Sequence, residues 1–269
     1  MQKVILITGS TDGIGLETAK TLVTQGHHVV VHGRNASKVV DVEKTLNIIG
    51  KGNVESLVAD LSSFDHVYEM INTITSRFTK IDILINNAGI FSTQNTRTEA
   101  DLDVRFMVNT IAPYLITKMI QPLLKPLGRV VNLSSAAQAS VNLTALQGEQ
   151  QLNDGEAYAQ SKLALTMWSQ QLGLEWQNTG PMVVAVNPKS FLGSKMVKDA
   201  YGVAGGDIQQ GVDILVKVAL SDDFSQAYGK YFDNDIGSFT SPHRDTLDNM
   251  KVKATIMAIN DIVSKHGAP

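Results

Sequence analysis

The chain contains no cysteine in its 269 residues. That excludes a disulfide framework, a thiolate nucleophile and a cysteine-held metal. It also lacks an excess of either charge: 23 Lys and Arg stand against 26 Asp and Glu, a net charge of −3. Such a balance leaves no electrostatic footprint for nucleic acid or an anionic membrane surface, and neither partner is expected. No apolar run approaches the roughly 18–20 residues of a membrane span. Strand-like sequence begins at Lys3, so no leader is expected, and a cytoplasmic location is. The six histidines show no His-Glu-x-x-His or other ligand spacing. Asp233-Asn234-Asp235 opens like a calcium loop, but Gly237 is misplaced and no closing glutamate follows. No metal is expected. There is no Gly-x-Ser-x-Gly, so a serine hydrolase has no nucleophile elbow here. The Asn-x-Ser/Thr triplets at Asn35, Asn132 and Asn142 read as chance.

What is present is a 43% hydrophobic chain in which short apolar runs alternate with longer helical stretches. Strands are expected at 4–7, 28–32, 54–58, 81–85, 129–133, 182–186 and 228–232. Helices are expected after residue 15 and at 37–49, 63–78, 102–124, 156–176, 207–221 and 244–265, the fourth bent at Pro113. Alternation of this kind predicts an α/β fold: a doubly wound, mostly parallel sheet flanked by helices on both faces. With no repeat or linker, residues 1–269 read as one domain. In such sheets ligands bind beyond the carboxyl ends of the strands. The polar clusters at 8–15, 33–35, 60–61, 86–89, 134–135 and 187–194 all lie there.

The first cluster is the sharpest. Val4 to Ile7 runs into Thr8-Gly9-Ser10-Thr11-Asp12-Gly13-Ile14-Gly15, then into a helical pattern. A strand, glycine turn and helix point free backbone N–H groups and a helix N-terminus at whatever lies above, which suits a phosphate or pyrophosphate. A Cβ would hold that guest away or jam helix against strand. No Lys-Ser/Thr pair follows, so the turn is not an ATPase P-loop.

A second signal is Tyr158-Ala159-Gln160-Ser161-Lys162. Residues i and i+4 share a helix face, so phenol and ammonium are neighbours. A phenol of pKa near ~10 donates poorly at neutral pH, and a cation within about 4–6 Å lowers an acid by roughly 1–3 pH units. Alone, such a pair is an ordinary surface Tyr and Lys.

Together with Thr8-Gly-x-x-x-Gly-x-Gly15, Asn86-Asn-Ala-Gly89, Asn109 and Ser134-Ser135, it is not alone. In this order the motifs resemble the short-chain dehydrogenase/reductase family across essentially the whole chain. Arg129-Val-Val-Asn-Leu-Ser-Ser135 and Ser161-Lys-Leu-Ala164 resemble its retinol-dehydrogenase-like branch, as does the long stretch between Ser135 and Tyr158. The resemblance implies a Rossmann fold and an oxidoreductase interconverting carbonyl and alcohol by hydride transfer. It implies Tyr158 as general acid or base, and Lys162 lowering its pKa while bonding the nicotinamide ribose. It implies Ser135 holding the substrate oxygen, and Asn109 supporting a proton relay through Lys162. Gly9, Ser10, Thr11, Asp12, Gly13, Ile14 and Gly15 would line the cofactor, with Asn87, Ala88 and Gly89 beside and behind it. Asp60 and Leu61 would flank the adenine. Pairing of the 102–124 and 156–176 helices with a twin would give a homodimer or homotetramer; Leu163, Leu165, Met167, Trp168 and Leu172 form the apolar surface concerned.

An NAD site offers a carboxylate at the end of its second strand. Here that strand ends His32-Gly33-Arg34-Asn35, and Arg34 can present its planar fork to a 2′-phosphate. NADP(H) is therefore expected over NAD(H). Against it stands Asp12, where many NADP-dependent relatives place a second basic residue. A further departure follows the sixth strand. The family reads Pro-Gly, then Ser or Thr; this chain reads Pro188-Lys189, with Ser194 as the hydroxyl. If the usual glycine holds an angle closed to other residues, Lys189 disturbs the nicotinamide end.

The pocket walls are expected at 136–157 and 189–206, where Phe191, Leu192, Met196, Val197 and Tyr201 suit an apolar small-molecule carbonyl or alcohol. Two rivals stand behind this reading. One is a non-catalytic NADP(H)-binding sensor or partner protein, which Lys189 keeps open. The other is a nucleotide-sugar epimerase or dehydratase, against which the glycine spacing and short C-terminal portion speak.

Overall fold

In the computed structural model, which describes residues 1–267, the strands are β1 (Val4–Ile7), β2 (His28–Gly33), β3 (Val54–Val58), β4 (Ile83–Asn86), β5 (Arg129–Leu133), β6 (Met182–Asn187), β7 (Tyr231–Asp233) and β8 (Ser238–Thr240). They form one sheet in the order β3-β2-β1-β4-β5-β6-β7-β8. All neighbouring pairs are parallel except the last, so the doubly wound α/β expectation holds. Register explains why the strands read as unbroken apolar runs. Leu6 lies opposite Val30 and Leu84, Leu84 opposite Val130, and Val130 opposite Val183, one row facing one core. Their neighbours Ile5, Ile7, Val29, Val31, Ile85 and Val184 face the other. Side chains alternate across a strand, so a sheet buried on both sides needs apolar residues at every position.

The helices are α1 (Gly13–Thr24), α2 (Ala36–Ile49), α3 (Phe64–Arg77), α4 (Val104–Phe106), α5 (Ala112–Leu124), α6 (Leu143–Leu146), α7 (Asp154–Glu175), α8 (Lys195–Tyr201), α9 (Gln209–Leu220) and α10 (Asn249–Lys265). Residues 268–269 of the expected domain lie outside the described residues. Helix starts are set by local chemistry: Asp12, Asn35, Ser63, Asn153 and Ser194 each cap the following helix with a side-chain oxygen. The strand order reverses between β1 and β4, and the glycine turn after β1 sits at that reversal, where such sheets bind ligands.

Three expectations are corrected. The long 102–124 helix is not one bent helix: a π-helical turn, Met107–Ile111, separates α4 from α5. Pro113 has no N–H to give the Asn109 carbonyl, and the Ala112 N–H bonds Met107 instead. The 228–232 strand starts at Tyr231, because Gly229 turns at φ +66. A 3₁₀ turn, Arg244–Leu247, precedes the last helix rather than belonging to it. The apolar surface of α7 is consumed inside the chain: Leu163, Leu165, Met167, Trp168 and Leu172 are all buried, and Leu163 and Met167 pack on Val252 of α10. A twin approaching that face meets α10. Among the described residues no helix is long and apolar enough to cross a membrane.

Candidate active site

The glycine turn is built from steric necessity. Gly9 and Gly13 hold φ of +64 and +56, angles that L side chains resist. A Cβ on Gly9 would stand 2.7 Å from the Ala88 Cα, and one on Gly15 would stand 2.4 Å from Asn87 Nδ2. At Gly13 nothing lies within 4 Å, because that residue faces open space. The turn is pinned to the end of β4. Asn87 and Ala88 donate their N–H groups to Thr8 Oγ1, each at 3.1 Å, and Asn87 Nδ2 donates to the carbonyls of Thr8 and Gly9 at 2.9 and 2.8 Å. Ser10, expected among the cofactor contacts, turns its side chain inward, buried and donating to the Ile7 carbonyl.

A residue that sequence reasoning passed over completes the pin. His32 Nδ1 accepts the Gly9 N–H at 3.1 Å, while Nε2 donates to the Ala59 carbonyl at 3.1 Å. The buried imidazole thus joins the ends of β1, β2 and β3 in one tautomer. Burial pushes it from 6.5 down to about 4, against the Ala59 bond and Asp60. A histidine closing the apolar run of Val29, Val30 and Val31, one residue from the strand's C-terminal edge, was the available signal. The unfolded chain takes up a proton near pH 6.5 and the folded one only near 4, so stability present above 6.5 is lost as pH falls through this window. About 2 kcal/mol is expected to be lost by pH 5. Urea unfolding at pH 7 and pH 5 should show this loss in the wild type and not in His32→Gln. An equal loss in both proteins would remove His32 from the account.

Above the turn lies a cleft of about 470 Å³. Gly9, Thr11, Asp12, Gly13, Ile14 and Gly15 line its middle. Arg34, Asn35, Asp60 and Leu61 line one end, and Gly89, Tyr158, Lys162, Pro188 and Ser194 the other, with Asn87 and Ala88 between. Lys38 also lines the cleft and was missed; it stands in the first turn of α2, whose cap is Asn35. Asp12 is the cap of α1, accepting the Gly13 N–H at 2.8 Å. The donor set fits a dinucleotide: backbone N–H groups at a helix start, two cations at one end, a phenol and an ammonium at the other. Among the described residues no cluster of three or more His, Asp or Glu is placed to hold a metal.

At the second end, α7 sets Tyr158 and Lys162 on one face. The Tyr158 phenol lies close enough to the Ser135 side chain for that hydroxyl to favour its ionised form, and its ring packs on Phe91 with centroids 4.9 Å apart. Lys162 is buried, donates to the Leu133 carbonyl at 2.7 Å, and holds its ammonium 5.6 Å from the Tyr158 ring centroid. Burial dominates both groups. It pushes the Tyr158 phenol up, against the Ser135 hydroxyl and with the nearby Tyr201 phenol. The same burial lowers Lys162 to about 8. Burial is thus the largest influence on the phenol, and no lowering by Lys162 is resolved beside it.

Ser134 and Ser135 divide as the strand pleat dictates. Ser134 is buried against Thr166, Oγ to Oγ1 at 2.6 Å. The Ser135 carbonyl accepts from Gln138 at 2.9 Å and from the Tyr231 phenol at 3.1 Å, which fixes the residue that reaches Tyr158. Asn109 sits in the π-turn. Its Oδ1 accepts the Ile90 N–H at 2.8 Å, and its Nδ2 donates to the Ile90 carbonyl and to Ser161 Oγ. It is buried and ties the loop after β4 to α7 rather than lining the cleft. Phe91, Tyr201 and Phe191 continue outward from Tyr158 as an aromatic wall, with neighbouring centroids 5.5 and 5.2 Å apart. The arrangement can present a protonated phenol and a second hydroxyl to one oxygen atom, beside a buried cation.

A family model for short chain dehydrogenases matches residues 3–202. The chain belongs to the short-chain dehydrogenase family. Its relatives place it in the retinol-dehydrogenase-like branch of these oxidoreductases. It is 35% identical to polyprenol dehydrogenase of Homo sapiens over 63% of this chain and 54% of that enzyme. The chain thus aligns with about half the length of that relative. It is 31% identical to retinol dehydrogenase 12 of Mus musculus, over 86% of this chain and 77% of that one. A short chain dehydrogenase of Shigella flexneri, solved in complex with NADP, is 25% identical at a TM-score of 0.68, covering 87% of this chain and 97% of its own. The family's usual Pro-Gly becomes Pro188-Lys189 here, and Lys189 holds φ +132. An L residue in such an angle costs about 1–3 kcal/mol and persists only where its surroundings impose it.

Proposed function

We propose that this short-chain dehydrogenase is an NADP(H)-dependent oxidoreductase interconverting a carbonyl and an alcohol. One observation carries the reading: Tyr158 and buried Lys162, with the Ser135 side chain near the phenol, stand at one end of a cleft whose other end offers Arg34 and Lys38. A bound nicotinamide supplies or takes the hydride. Ser135 holds the substrate oxygen, and Tyr158 gives its proton to that oxygen in reduction or removes it in oxidation. Lys162, brought to about 8 by burial, is poised to exchange protons with the phenol. Asn109 fixes the turn in which that exchange takes place.

The choice of NADP(H) over NAD(H) rests on Arg34 and on Lys38, the second cation that Asp12 failed to supply. A charge-assisted hydrogen bond is worth about 1.5–3 kcal/mol. Arg34→Ala or Lys38→Ala is therefore expected to weaken NADPH binding about 10–100-fold while leaving NADH binding unchanged. Fluorescence titration of the wild type with both cofactors is the direct test. Preference for NADH would make Arg34 a bystander; binding of neither would bring forward the non-catalytic reading.

The aromatic wall of Phe91, Tyr201 and Phe191 suits an apolar substrate, and the two relatives are named for the apolar alcohols polyprenol and retinol. Activity confined to small charged carbonyls would overturn that. The proposal takes residues 1–269 as one cofactor-binding domain with substrate walls at 136–157 and 189–206, in the cytoplasm. A homodimer or homotetramer would use a face other than the side of α7 that α10 covers.

A further inference from the structure

The side chains of Asp233, Asn234 and Asp235 are engaged within the chain. Asp235 Oδ1 accepts the Ser190 N–H at 3.0 Å, and Oδ2 accepts the Ser190 hydroxyl at 2.6 Å and Asn187 Nδ2 at 2.9 Å. Asn234 Nδ2 donates to the Pro188 carbonyl at 2.9 Å and to the Gln210 carbonyl at 3.2 Å. Asp233 Oδ1 accepts Asn187 Nδ2 at 2.8 Å and the Asp235 N–H at 3.0 Å.

These bonds converge on one residue without touching its side chain. The Pro188 carbonyl belongs to the peptide before Lys189, and the Ser190 N–H to the peptide after it. Asn234 grips the first plane and Asp235 the second. With both planes held, φ and ψ of the residue between them are no longer its own to choose. That residue is the one at φ +132, where the family has glycine. The gripping residues stand between β7 and β8, beyond the 3–202 segment that the family model matches. The strained turn leads into Pro188 and Ser194, which line the cleft beside Tyr158 and Lys162.

We propose that Asp235, aided by Asn234, is a positioning residue: it forces Lys189 into the turn that glycine would take unaided, and so shapes the nicotinamide end of the cleft. The inference rests on the NADP(H) reading for its functional half; the conformational half stands without it. Burial pushes the Asp235 carboxyl up, but the Ser190 and Asn187 bonds, with a lesser part from the Lys189 charge, hold it below its usual range.

The test is a cycle of wild type, Asp235→Ala, Lys189→Gly and the double variant, read by thermal unfolding without cofactor and by NADPH titration. Asp235→Ala is expected to lower the melting temperature and to weaken NADPH about tenfold. Lys189→Gly should raise the melting temperature and bind NADPH at least as well as wild type. In the Lys189→Gly background, removing Asp235 should weaken NADPH by less than about threefold, because glycine needs no clamp. A merely structural Asp235 would not be rescued by glycine, so equal losses in both backgrounds overturn the proposal, as does unchanged NADPH binding in Asp235→Ala. Should Asp235→Ala not fold, Asn234→Ala, which releases the Pro188 carbonyl, enters the same cycle in its place. If wild type binds neither NADPH nor NADH, the functional reading fails, and coupling in the ligand-free melting temperatures still decides the clamp.

Discussion

Tyr158→Phe is expected to cut turnover of an apolar carbonyl about 10³-fold, within the range that a positioned proton donor supplies. NADPH affinity and melting temperature should stay close to wild type. The ring that packs on Phe91 at 4.9 Å is retained, and only the hydroxyl near Ser135 is lost. The loss should fall on kcat rather than on cofactor binding, because the Gly9–Gly15 turn, Arg34 and Lys38 are untouched. The pH profile carries a second part. Burial holds the Tyr158 phenol protonated well above neutrality and brings Lys162 to about 8. A reaction that needs the Lys162 charge should therefore slow as pH rises through about 8, with the phenol still protonated. Equal rates for variant and wild type across a carbonyl panel would end the proposed mechanism. A fall in NADPH affinity matching the fall in rate would instead move Tyr158 from chemistry to binding.

Much of this site could be read from the chain because its signals are local. The glycine spacing from Gly9 to Gly15, the Tyr158–Lys162 repeat and the Ser134–Ser135 pair each sit in one turn or one strand end, where spacing fixes direction. The strands were legible for the same reason: burial on both faces leaves a continuous apolar run at each. What escaped was set by contacts distant in sequence. His32 reads as a strand residue until Ala59 and Gly9 are seen on its two nitrogens. Lys38 reads as a helix-surface lysine until α2 is placed beside the cleft. The covering of α7 by α10 joins residues nearly ninety apart, Leu163 and Val252. Spacing puts Lys162 beside Tyr158 but says nothing of desolvation, which depends on the whole surrounding shell and pushes the phenol up. Proline gave the break near 113 but not its form, since whether a helix kinks or takes a π-turn depends on which acceptor the neighbouring N–H can reach.

Gly9→Ala and Gly13→Ala should fail in different ways, and the contrast tests the cleft as a whole. Both residues hold positive φ, +64 and +56, which costs an alanine about 1–2 kcal/mol. At Gly9 the new methyl also meets backbone: 2.7 Å from the Ala88 Cα and 3.1 Å from its N. Ala88 cannot give way freely, because Thr8 Oγ1 holds its N–H at 3.1 Å and that of Asn87 at the same distance. Overpacking of this kind adds about 1–3 kcal/mol. The sum, about 3 kcal/mol, should lower the melting temperature by about 10 °C and open the seam between β1 and β4. At Gly13 nothing lies within 4 Å, so Gly13→Ala should pay only the backbone term, about 3 °C. Its methyl stands in the cleft above the start of α1, and NADPH should bind about 10–100-fold more weakly. Gly9→Ala thus loses the fold at the site, and Gly13→Ala loses the guest. If Gly13→Ala keeps full NADPH affinity, the phosphates do not lie over this turn, and the cofactor geometry proposed from Arg34 to Lys162 must be redrawn. If it melts as early as Gly9→Ala, the space above Gly13 is not open and the cleft itself is misplaced.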